Sequence, residues 1–130
     1  MVYCILTPDG RLTYSNGGHN PPFVITRQGV RRLEAGGLIL GLFAHAEYEE
    51  ESLQLEPGDV IVVFSDGVSE AVNVEGEEFG DDRIVASLLS RLATHTPRAA
   101  LDALLDDVRA FSSGTAQRDD VTVVIVRYES

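Results

Sequence analysis

The sequence predicts an α+β fold built mainly of antiparallel sheet, with two helices in its C-terminal half. Three observations carry that prediction: short β-rich runs separated by turn residues fill the first half, two segments of helical periodicity follow, and a β-branched run comes last. At 130 residues the chain is long enough to bury one core and too short for two independent ones, so residues 1–130 are expected to form a single domain.

Val2 to Leu6 and Arg11 to Ser15 flank Thr7-Pro8-Asp9-Gly10, whose turn composition predicts a hairpin. The Gly/Asn/Pro cluster from Asn16 to Pro22 is loop, after which Phe23 to Thr26 is expected to pair with Val30 to Leu33 across Arg27-Gln28-Gly29. Leu38 to Leu42 is apolar but too brief for periodicity to separate strand from turn. Glu51 to Leu55 and Val60 to Phe64 flank Glu56-Pro57-Gly58-Asp59, and this Pro-Gly turn predicts two antiparallel strands. The second strand is apolar throughout, so it is expected to be central and covered on both faces.

Asp81-Asp82 is expected to cap a helix with Ile84, Val85, Leu88, Leu89 and Leu92 on its apolar face. Thr96 and Pro97 have the chemistry of an N-cap and first helical position; Leu101, Leu104, Leu105, Val108 and Phe111 then share a face, with Gly114 beyond the end. After a loop from Gly114 to Arg118 and the pair Asp119-Asp120, Val121 to Val126 forms the last strand.

Ten basic residues stand against 21 acidic ones, and the formal charge of -11 opposes approach to nucleic-acid backbones or anionic lipid. Neither is expected as a partner. All the basic residues are arginine, so there is no lysine for a P-loop, a Schiff base or a receiver-type phosphate contact. Cys4, the sole cysteine, excludes an internal disulfide and a thiolate zinc cluster, suits a reducing compartment, and is expected to be buried on its strand. The longest apolar runs fall far below the ~20 residues of a membrane span and no signal-peptide pattern opens the chain, so a cytoplasmic protein is expected.

The segment Val60-Ile61-Val62-Val63-Phe64-Ser65-Asp66-Gly67 carries a buried strand directly into a carboxylate and a glycine. An isolated Asp-Gly is most simply a turn. Arg118-Asp119-Asp120-Val121-Thr122-Val123, however, places acids at the start of a second apolar strand. If the two strands are antiparallel neighbours, Asp66 and Asp119 meet at one edge of the sheet. Their mutual repulsion is relieved by protonation of one of them or by a bound cation. Oxygen-only donors favour magnesium or manganese, and two such ions about 4 Å apart can bind a phosphoryl group and activate a bridging water for in-line attack. On these residues alone, a solvated acidic edge is the competing interpretation.

Leu12-Thr13-Tyr14-Ser15-Asn16-Gly17-Gly18-His19-Asn20-Pro21-Pro22, Leu55-Glu56-Pro57-Gly58-Asp59, Phe64-Ser65-Asp66-Gly67-Val68-Ser69-Glu70-Ala71 and Asp119-Asp120-Val121-Thr122 together resemble the bacterial metal-dependent protein phosphatases of type 2C. The resemblance is in particular to relatives of sporulation stage II protein E and the stress-response phosphatases. The resemblance implies part of an α-β-β-α sandwich, a Mn2+ or Mg2+ cofactor in a two-metal site of the complete domain, and hydrolysis of phosphoserine or phosphothreonine without a protein nucleophile. It assigns metal binding to Asp66 and Asp119, with Gly67, Glu70, Asp120 and His19 as supporting residues. Glu70 would stand at a helix start or take a direct role, and His19 would organise its loop through hydrogen bonds. His45 and His95 receive no role.

The resemblance departs from the family's pattern at one point. Family catalytic domains are longer and carry an upstream Asp-Gly metal motif and a Gly-His-Gly sequence, neither of which occurs here. The chain therefore corresponds to the C-terminal portion of such a domain, and Met1 is open to being an internal methionine. One metal ligand and about half the sandwich are then missing, from which we expect little or no activity for this chain alone and homodimer formation through exposed sheet or apolar surface. The implied substrate is a phosphoprotein, in the family typically an anti-sigma-factor antagonist in a partner-switching pathway.

A haloacid-dehalogenase-like phosphatase is disfavoured because Phe64 occupies the nucleophile position and lysine is absent, and a serine hydrolase because no Gly-x-Ser-x-Gly elbow surrounds Ser65 or Ser69. The stronger rival is a non-catalytic interaction module derived from a phosphatase domain. Retention of both Asp66 and Asp119 argues against it.

Overall fold

The computed structural model describes residues 1–93, 95–117 and 119–130. In chain order the elements are β1 (Val2–Leu6), β2 (Arg11–Gly17), β3 (Phe23–Thr26), β4 (Gly29–Arg32), β5 (Gly36–Gly37), β6 (Glu51–Gln54), β7 (Val60–Phe64), α1 (Asp66–Ser69), α2 (Gly80–Leu92), α3 (Pro97–Phe111) and β8 (Val123–Arg127). They fall into two compact units, Met1–Val62 with Val126–Ser130, and Val63–Ile125.

In the first unit β2 is the hub of a sheet. It pairs antiparallel with β1 from Val2↔Asn16 to Leu6↔Leu12 and antiparallel with β6 from Arg11↔Gln54 to Tyr14↔Glu51. Both predicted hairpins form, the second with Phe23↔Arg32 to Thr26↔Gly29 in register. Leu12 and Tyr14 are buried on β2, while Tyr3 and Ile5 of β1 are exposed, because β1 is an edge strand with β2 as its neighbour. Cys4 shares that edge and is exposed, which corrects the expectation of burial.

Two further expectations are corrected in this unit. The segment Leu38 to Leu42 is turn, and strand pairing is confined to Gly36 and Gly37, parallel to the end of β2. The reason is steric: a Cβ on Gly36 would lie 1.9 Å from the Asn16 carbonyl oxygen, so only glycine permits that approach. The Pro-Gly turn at residues 56 to 59 does not close a hairpin either. Here β6 pairs with β2, whereas β7 pairs with β3 from Phe23↔Val62 to Ile25↔Val60, so the turn passes the chain from one sheet to the other. Asp59 fixes this turn, its buried carboxylate accepting the Glu56 N–H at 2.9 Å, while Gly58 donates to the Tyr128 carbonyl at 2.7 Å.

The second sheet runs in the order β4-β3-β7-β8. As predicted, β7 is central, and Val60, Ile61, Val62 and Phe64 are all buried. Tyr128 donates its N–H to Asp59 at the start of β7 and Thr122 accepts from Ser65 at its end, so β7 and β8 run antiparallel.

In the second unit, α3 starts as its sequence dictates: the Thr96 hydroxyl accepts the Ala99 N–H at 3.2 Å and Pro97 occupies the first turn. The start of α2 differs. Phe79 is the N-cap, and Asp81 and Asp82 lie inside the first turn, where the helix dipole favours their charge. Ile84 and Leu88 of α2 and Ala100, Leu104 and Val108 of α3 are buried, but Leu89 is 46% exposed and leaves the expected apolar face. A polar clamp joins the two helices: Arg91 donates to both oxygens of Asp107, at 2.8 and 3.2 Å, and the Ser87 hydroxyl donates to the same carboxylate at 2.6 Å. Phe79 meets Phe111 edge to face at 5.3 Å, with the Arg83 guanidinium 4.8 Å from the Phe111 ring centre. The expected last strand begins at Val123 rather than Val121, and Arg118, the end of the expected preceding loop, lies outside the described residues.

Candidate metal centre

The two predicted acidic segments adjoin within the second unit. Leaving β7, the chain passes through Ser65 into the single helical turn α1, so Asp66 opens that turn immediately after the strand. On the other side, Asp119 and Asp120 precede β8. Ser65 joins the two: its N–H donates to the Thr122 carbonyl at 2.9 Å, its hydroxyl donates to the Asp120 carbonyl at 2.9 Å, and the same hydroxyl accepts the Thr122 N–H at 3.0 Å. Gly67 brings the backbones closer still. A Cβ at that position would lie 2.2 Å from the Asp120 oxygen and 3.3 Å from the Asp119 carbonyl carbon, so no side chain fits there.

Both carboxylates are exposed and oriented by their own backbone. Asp66 Oδ1 accepts the Gly67 N–H at 3.0 Å, and Asp119 Oδ1 accepts the Asp120 N–H at 2.7 Å. Gln117 adds a bond to the Asp119 carbonyl at 2.8 Å. Beside this edge lies a cavity of about 450 Å³ lined in part by Gly67, Glu70 and Asp119, with α3 supplying another wall.

The donors suit a hard divalent cation, since magnesium binds through one or two carboxylates and completes its shell with water and phosphate oxygens. Among the described residues no group of three or more His, Cys, Asp or Glu is gathered for a metal. An octahedral cation takes six oxygen donors, so two carboxylates alone would leave most of its shell to water and other groups.

Over residues 1–129 the chain matches the family model described as Stage II sporulation protein E (SpoIIE). The chain belongs to the SpoIIE family. It is 31% identical over 121 residues to the phosphoserine phosphatase RsbU of Bacillus subtilis, covering 90% of this chain and 35% of that protein. It is 30% identical over 122 residues to stage II sporulation protein E of Bacillus subtilis, covering 93% of this chain and 14% of the relative. The phosphatase domain of Bacillus subtilis SpoIIE, solved after presoaking with manganese, superposes with a TM-score of 0.76 at 26% identity, covering 99% of this chain and 56% of that domain. This SpoIIE-family chain therefore has the α+β fold of a type 2C phosphatase domain, and it spans about a third or less of the length of these curated relatives.

The residues expected to support the metal site take unequal positions in this SpoIIE-family chain. Gly67 and Asp120 act through the backbone, as the close approach and the accepted Ser65 hydroxyl show. Glu70 is not at a helix start: it is the C-cap of α1, its N–H donating to the Asp66 carbonyl at 2.8 Å. His19 belongs to the first unit, where its Nδ1 donates to the Asn20 carbonyl at 2.7 Å. The loop there is organised mainly by buried Asn16, whose side chain accepts the His19 N–H at 2.8 Å and donates to the His19 carbonyl at 2.9 Å. Ser65 is the residue that the sequence alone does not single out. A serine before Asp-Gly looks like ordinary turn chemistry, and its partners lie 55 and 57 residues away.

Proposed function

We propose that this chain is the C-terminal portion of the catalytic domain of a metal-dependent serine/threonine protein phosphatase, with Asp66 and Asp119 as its contribution to a Mn2+ or Mg2+ site. The observation that carries this is the Ser65–Gly67 junction, which locks the backbones bearing the two carboxylates against each other. In this reading Asp66 and Asp119 supply oxygen donors to the cation, and Glu70, which lines the cavity with Asp119, adds negative charge. When bound, the cations neutralise phosphoryl charge and lower the pKa of water. Ser65, Gly67 and Asp120 position the acids and take no part in the bond changes.

By resemblance to the stress-response phosphatases, the substrate is a phosphorylated anti-sigma-factor antagonist in a cytoplasmic partner-switching pathway. Among the described residues no helix is long and apolar enough to cross a membrane. With two ligands present, the chain alone is weakly active or inactive. Exposed Tyr3 and Ile5 on the β1 edge, and exposed Leu38, Ile39, Leu42 and Phe43 in the same unit, support association into a homodimer.

A chimaera tests the phosphatase assignment. This chain replaces the matching segment of the Bacillus subtilis SpoIIE phosphatase domain, and hydrolysis of a phosphoserine peptide is followed with Mn2+. Activity that is lost on Asp66→Asn or Asp119→Asn is expected. A folded but inactive chimaera supports the non-catalytic interaction module instead, and activity that survives both substitutions removes Asp66 and Asp119 from the metal site.

A further inference from the structure

The cavity beside the acidic edge has a chemistry of its own. One part of its lining is aliphatic, from Leu105 and Val108 on α3; another is acidic, from Glu70 and Glu78, and it opens next to Asp119. Among the described residues the lining has one basic side chain, Arg109, which donates to Asp106 at 3.1 Å. At about 450 Å³ the space exceeds what a single water or ion requires and admits an extended side chain.

We infer that this cavity receives a lysine or arginine side chain flanking the phosphorylated residue of the substrate, and so selects phosphosites with a basic neighbour. The proposal rests on the phosphatase assignment for the word substrate, but not for the binding itself. An amphipathic cation suits both surfaces: its methylene stem lies along Leu105 and Val108, and its charged head reaches Glu70 and Glu78. Asp119 lines the same space, so a side chain seated there places its neighbouring residue at the metal edge. Charge gives the pocket its purpose. A phosphopeptide approaching a protein of net charge -11 is repelled, and a basic flank offsets that repulsion at the point of docking.

The test uses this chain and three fluorescent serine peptides that differ at one flanking position: lysine, norleucine and glutamate. Binding is measured by anisotropy in EDTA, without phosphorylation, so the result does not depend on metal or turnover. Lysine is expected to bind about three- to fivefold more tightly than norleucine, the scale of a partly exposed ion pair, and glutamate more weakly than both. Glu78→Gln should remove the lysine preference and Glu78→Lys should reverse it toward glutamate, with unchanged circular dichroism showing an intact fold. Equal binding of all three peptides overturns the proposal. So does a preference for glutamate that Arg109→Gln abolishes, which would make the cavity a site for acidic flanks. A lysine preference here with an inactive chimaera keeps the pocket and removes the phosphatase; turnover without flank preference does the opposite.

Discussion

The carbonyl oxygen of Asp120 occupies the space a side chain on Gly67 would need, 2.2 Å from an added Cβ. The glycine of the Asp-Gly motif therefore serves packing: it lets the turn after β7 lie directly on the segment that carries Asp119.

Gly67→Ala should separate the two segments. A methyl group with backbone as its nearest neighbour forces a shift costing about 1–3 kcal/mol, the usual range for overpacking. Thermal denaturation should show the loss, and Mn2+ affinity should fall with it. Unchanged stability would mean that the segments are not in contact.

Ser65→Ala removes the hydroxyl that donates to Asp120 and accepts from Thr122. The expected loss is about 1–3 kcal/mol for two hydrogen bonds at a half-buried position. Ser65→Thr, which keeps a hydroxyl, should recover part of it. Urea denaturation of the three proteins checks the order.

The clamp between α2 and α3 is structural and lies apart from the chemistry. Asp107→Ala should cost about 1–2 kcal/mol, given a forked arginine contact that is only partly exposed. A double-mutant cycle with Arg91→Ala should show coupling of about 1 kcal/mol, with Mn2+ binding unaltered throughout.

Stability should fall in acid partly through Glu51. The Tyr14 hydroxyl, 2.5 Å from its Oε2, is the main cause holding this carboxyl below its ordinary value, and the Arg31 charge acts in the same direction. A depressed folded pKa contributes stability above the unfolded value, lost as pH falls through the folded one. Tyr14 itself is pushed up, first by burial and then by its bond to Glu51, so its contribution is present below its unfolded pKa and lost as pH rises through the folded one. In Glu51→Gln, urea midpoints measured against pH should fall less steeply at the acid end than in the wild type.

Most of the local structure was legible because it follows from short-range rules. Thr96-Pro97 starts α3, Thr7 to Gly10 closes the first hairpin, and the all-apolar β7 is central. Strand partners were harder, because the turn at Glu56 to Asp59 has the composition of a hairpin while its direction is set by Tyr128, about 70 residues on. The same limit hid Ser65. Asp66 and Asp119 were legible as strand-end acids, but only the register of β7 against the segment before β8 shows what brings the backbones of their two segments together. Cys4 and Leu89 were misplaced because an apolar residue on a strand or helical face is buried only if something covers that face.

Asp66 and Asp119 are proposed to share one cation site, and Mn2+ titration followed by electron paramagnetic resonance separates a shared site from independent ones. A shared site gives saturable binding by the wild-type chain, a large loss in Asp66→Asn and in Asp119→Asn, and no further loss in the double variant. Binding that survives either single substitution unchanged, or losses that add independently, would contradict it.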